Sequence, residues 1–130
     1  MPGDSLWGAI PEGRKIQTPV SILKEQAELL SVATNRLLEG SVQVQGDVVG
    51  KVNATLGITA PALAGYRIEI LMISHTVGLY PVFVQSKAFE SPQARANDEA
   101  AYKAVLANIL QSQIVNNIIE RLLTQIKSAE

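Results

Sequence analysis

Apolar residues first recur at helical spacing, then alternate with polar ones, then return to helical spacing. From Thr18 to about Leu38, Ile22, Leu23, Leu30, Ala33 and Leu37 fall on one side of a wheel of about 100° per residue. Lys24, Glu25, Glu28, Asn35, Arg36 and Glu39 fall on the other. Thr18 can cap the first free N–H groups and Pro19 suits the first helical position, so a helix is predicted to start there and to stop at Gly40. Gln26 projects from the apolar stripe, and a buried amide needs partners, so it is a candidate for a structural bond, a ligand or an interface.

From Ser41 the period becomes two. Val42 and Val44 alternate with Ser41, Gln43 and Gln45, and Val52, Ala54, Leu56 and Ile58 alternate with Lys51, Asn53, Thr55 and Thr59. Gly46, Asp47 and Gly50 between the runs predict a hairpin. Pro61 to Gly65 reads as a turn or a single helical turn. Tyr66 to Gln85 is the stretch richest in strand formers, with Tyr66, Ile68, Ile70 and Met72 on one face and Arg67, Glu69, Leu71, Ile73 and His75 on the other. The second face passes from charged to apolar along its length, which suggests partial cover or contact with a partner. Pro81 cannot donate a ladder bond, so a fourth strand is predicted to begin there with Val82, Phe83 and Val84.

After Ser91-Pro92 the helical period returns, with Asn97 or Asp98 as cap. Tyr102, Val105, Leu106, Ile109 and Leu110 form one stripe. A second stripe, Ile114, Val115, Ile118, Ile119, Leu122, Leu123 and Ile126, is centred roughly opposite the first. The jump at Gln111-Ser112-Gln113 means either a break capped by Ser112 or one long helix whose second half serves a partner. In the partner version Ile114, Ile118, Leu122 and Ile126 would form an intersubunit seam. The expected architecture is α+β in two layers: an N-terminal helix, a four-stranded antiparallel meander, and one long or two short C-terminal helices. Residues 18–130 form a single domain preceded by a flexible arm, residues 1–17, in which Trp7 is the one anchor, set against its own domain or a partner's groove.

Composition narrows the function classes. With 130 residues, 47% hydrophobic and 18% charged, the chain can bury one core. Eleven basic and twelve acidic residues, spread without blocks, build no basic stripe for a phosphate backbone, so no nucleic-acid partner is expected. No cysteine and a single histidine leave no thiolate site and no multi-histidine site, so no metal or other cofactor is expected. No run approaches the roughly 20 apolar residues that cross a bilayer, and the N-terminus lacks the order of a signal peptide, so a cytoplasmic protein without a membrane partner is expected.

Reactive groups are sparse, and no residue is assigned as catalytic. His75 has Ser74 beside it and Tyr80 beyond a short link. Glu69 lies roughly 20 Å away along a regular strand, which rules out a direct pair. Gly46 to Lys51, GDVVGK, lacks the Ser or Thr and the following helix of a phosphate loop. The helix opening TPVSILKEQAELL, followed by APALAGYRIEIL and YPV, resembles small uncharacterised bacterial α+β proteins over most of residues 18 to 85. That resemblance implies a fold and no activity. Two function classes remain: an interaction domain forming a homo-oligomer or binding another protein, and a small-ligand domain or enzyme with a pocket between the first helix and the sheet. In the second, Gln26, Tyr66, His75 and Tyr80 would supply the polar groups.

Overall fold

The computed structural model describes residues 6–9, 17–46, 50–86 and 93–128. Most of the expected arm and the tip of the first hairpin lie outside the described residues. The elements are α1 (Pro19–Ala33), β1 (Glu39–Gly46), β2 (Val52–Ala60), a 3-10 turn (Pro61–Leu63), β3 (Tyr66–His75), β4 (Val82–Ser86), β5 (Ala94–Ala96), α2 (Glu99–Leu110) and α3 (Gln113–Ser128). All neighbouring strands are antiparallel, in the order β1-β2-β3-β4-β5. The fold is α+β with a five-stranded sheet, not the four strands expected. Ala94–Ala96 has no strand composition and is held by pairing, Val82 with Ala96 and Val84 with Ala94.

The caps are those the sequence predicts. Ser21 N–H donates to Thr18 Oγ1 at 3.0 Å, and Ala101 N–H donates to Asp98 at 2.8 Å. Ser112 Oγ accepts from Val115 N–H at 3.3 Å, so the C-terminal region is two helices that break at Gln111-Ser112. The first helix is shorter than expected. Thr34 donates through Oγ1 to Leu30 O at 3.0 Å and accepts from Leu38 N–H at 3.2 Å, closing a turn in which Asn35 and Arg36 take positive φ. Gly40 is therefore not a helix stop but part of β1.

Gly40 is required there by a close approach. A Cβ on it would sit 2.5 Å from Ala27 O and 2.7 Å from Ala27 Cα, so α1 lies directly on the first strand. Buried Ser31 fixes the contact: its Oγ donates to Ala27 O at 3.2 Å and accepts from Gly40 N–H at 3.0 Å. Both of its hydrogen-bonding capacities are used, so its burial carries no unsatisfied polar group.

The alternation of β3 is broken. Leu56 pairs with Leu71 but Gly57 pairs with Glu69, which leaves Ile70 as an extra residue, a β-bulge. Beyond it the phase shifts by one, so Leu71, Ile73 and His75 join Ile68 and Ile70 on the inner side and Met72 turns outward with Arg67 and Glu69. The inner side meets Ala54, Leu56 and Ile58 of β2, Val82 and Val84 of β4, and residues of all three helices in one core. Tyr102 ties that core together. It is fully buried, its hydroxyl donates to Pro19 O at 2.8 Å, and its ring stands edge-on to Tyr80 at 6.4 Å.

Two tests follow from this packing. Gly40→Ala is expected to destabilise the fold by about 1–3 kcal/mol because backbone, not a flexible side chain, must move. Gly46→Ala, with nothing nearer than 4.0 Å, is expected to change stability by under about 0.5 kcal/mol. Urea unfolding midpoints compare them. Burial also raises the Tyr102 phenol far above its ordinary value of 10.0. The unfolded chain then loses its phenolic proton first, so stability present below pH 10.0 falls as the pH rises above it. Tyr102→Phe is expected to flatten that alkaline limb in pH-dependent unfolding and to cost about 1 kcal/mol at neutral pH, where Pro19 O loses its donor.

Candidate functional site

The four polar candidates are dispersed. Gln26, half-buried on α1, lines an apolar cleft of about 250 Å³ whose other walls are Leu29 and Leu30 of α1, Leu56 and Ile58 of β2, Ile70 of β3, and Leu110, Val115 and Ile119 of the C-terminal helices. It also reaches a groove of about 390 Å³ between α1 and α2, where Glu25, Lys103 and Gln111 stand. Tyr66, 52% exposed, borders a third hollow of about 510 Å³ between the 3-10 turn, the start of β3 and α3. His75 and Tyr80 line none of these. Of the four, Gln26 alone lines the cleft between the first helix and the sheet.

His75 is 6% exposed and ends β3 on the inner side. Its Nδ1 lies 2.7 Å from Thr76 O, and because a carbonyl only accepts, Nδ1 carries the proton. Nε2 is buried without a hydrogen-bond partner among the described residues. Glu69, on the opposite face since the bulge intervenes, is no partner for it. The Tyr80 hydroxyl is likewise buried and unpartnered, and its pKa is raised by burial, then by the charges of Glu99 and Asp98. These two groups have no acid, base or nucleophile assembled around them in the hydrogen bonds of the described residues.

The outer face of the sheet carries one built arrangement. The Arg67 guanidinium lies over Gly57, where any side chain would displace it, and donates to Ser41 Oγ. Its Nη2 is buried without a hydrogen-bond partner among the described residues. The guanidinium thus lies flat on the β2 backbone and clamps β1 to β3 across the strand between them. Periodicity alone did not mark Gly57 as its floor; the pairing of Ser41 with Gly57 does.

The four residues set apart as a seam on α3 differ in placement. Leu122 and Ile126 are in the chain's own core, Ile118 is half-buried against it, and Ile114 is 43% exposed. The break at Ser112 is the physical reason: it lets the second stripe pack on the same core as the first.

A different surface is open. β1 ends the sheet with eight residues, Glu39–Gly46, and among the described residues no strand pairs with its outer side. Gly40 N–H points away from β2 to Ser31, so by antiparallel alternation Val42, Val44 and Gly46 also turn their backbone groups outward. The strand has no Pro, Lys or bulge, the usual protections of an edge. The other edge, β5, has three residues including exposed Arg95 and packs against α2. Val44, 46% exposed, lies on the open edge.

No protein-family model, curated protein or solved structure matches the chain. Among the described residues, no helix is long and apolar enough to cross a membrane.

The division of α3 is testable. Leu122→Asp, which buries a charge without a partner, is expected to cost at least about 3 kcal/mol or to prevent folding. Ile114→Asp is expected to leave the urea midpoint nearly unchanged, by under about 0.5 kcal/mol.

Proposed function

We propose that the chain is an assembly module whose β1 edge pairs with the same edge of a second copy. The observation that carries this reading is the contrast between the two sheet edges: one long, uncharged beyond Glu39 and open, the other short and backed by α2. A strand pairing with itself about a two-fold axis is antiparallel and self-complementary. With the axis at Gln43, Val42 faces Val44 of the second copy and Val44 faces its Val42. The outward N–H and C=O groups of both valines are then satisfied, and Val44 gains apolar cover. Gln43 meets Gln43 on the outer face, where two amides can bond each other. Each copy is a two-layer unit in this reading, with its three helices on one side of the sheet, and the two sheets run together as one.

The cleft under α1 supports ligand binding less well. Gln26 is its one polar group, too few to orient a ligand, and Tyr66 and His75 lie elsewhere.

Light scattering coupled to size exclusion tests the assembly. The protein at tens of micromolar is expected at twice the chain mass of 14.0 kDa. Val44→Lys, which puts a charge on the edge, is expected at the single-chain mass with its melting temperature lowered by only a few degrees. A wild-type monomer, or a Val44→Lys protein of unchanged mass, would refute the pairing.

A further inference from the structure

We propose that the hollow between α3 and the start of β3 binds a small amphipathic carboxylate, with the apolar body against Ile68, Ile118 and Leu122 and the carboxylate at Arg121. Three observations converge. The hollow holds about 510 Å³, and pockets for small organic molecules run from about 300 to 1,000 Å³. Its floor is apolar because Ile118 and Leu122, one helical turn apart, face Ile68 across it. Its rim is polar and cationic because Arg121 and Gln125 stand one turn apart on the exposed flank of the same helix, opposite the Tyr66 ring.

Arg121 makes no ion pair or side-chain hydrogen bond with the described residues, and neighbouring Glu120 does not bridge to it. The Tyr66 hydroxyl is also without a hydrogen bond to the described residues, and Gln125 uses its amide N–H on Arg121 O at 3.2 Å. A planar guanidinium beside an apolar floor suits a carboxylate, which it can hold through two parallel N–H donors, with the Tyr66 hydroxyl as a further donor. A cationic or neutral head would forfeit the charge-assisted bonds. Pro61–Leu63 and the left-handed Ala64 and Gly65 give the hollow its outer wall through Leu63.

The site lies outside β1, so it stands independently of edge pairing. Titration of the labelled protein with octanoate, octan-1-ol and acetate, followed by amide NMR shifts, tests it. Octanoate is expected to give saturable shifts at Tyr66, Ile118 and Gln125, octan-1-ol to bind about tenfold more weakly, and acetate not to bind. Arg121→Gln, an exposed change whose fold the same spectra verify, is expected to weaken octanoate about tenfold. Ile118→Trp, which fills the hollow, is expected to abolish binding, whereas Val44→Lys is expected to retain it. Equal binding of octanoate and octan-1-ol, unchanged affinity in Arg121→Gln, or shifts confined to the cleft beside Gln26 would overturn the assignment.

Discussion

Because β3 carries one residue more than β2 can match between Leu56 and Gly57, the strand changes phase at Ile70 and sends Leu71, Ile73 and His75 inward. Without that extra residue these side chains would share the outer face with Arg67 and Glu69. A regular strand would then leave the end of the core unfilled and expose two large aliphatic groups. Each fully buried aliphatic side chain contributes about 1.5–3 kcal/mol, so the bulge decides several kcal/mol of core. It also leaves Arg67 and Gly57 together outside, where the guanidinium can lie flat across the strand.

The second constraint is the distance between α1 and β1. Gly40 and Ala27 touch through backbone, and Ser31 absorbs the first outward amide of the strand. The helix is thereby anchored to the edge strand and satisfies only its first outward group, leaving Val42 and Val44 turned outward. At the far side β5 is kept short and α2 packs on it. The two ends of the sheet are thus unequal, and the proposed pairing follows from that inequality rather than from an exposed apolar patch.

Local chemistry was legible in the sequence where it was local. Thr18, Asp98 and Ser112 cap helices because each has an oxygen able to reach an N–H about three residues on, and the hairpin runs alternate as half-buried strands do. What pairing decides was not legible. Ala94–Ala96 becomes a strand only because Val82 and Val84 present a ladder, and the phase shift in β3 leaves no mark in an unbroken run of strand formers. The same holds for the sites. Tyr66 was singled out, but its groove is completed by Arg121 and Gln125, whose spacing reads as an ordinary solvated flank of α3 until the start of β3 is seen opposite. Ser31 does not stand out in the sequence, because a small hydroxyl beside the apolar stripe of a helix is ordinary until its partner, Gly40 on β1, is seen.

Amide hydrogen exchange at the edge strand, measured at dilute and at concentrated protein, bears most directly on whether β1 is the assembly surface. Gly40 is expected to be protected at both concentrations, because its N–H is held by Ser31 within one chain. Val42 and Val44 are expected to exchange fast when dilute and to slow together as concentration rises. If both valine amides exchange at the same fast rate at every concentration, or are protected equally when dilute, the edge does not pair with a second copy.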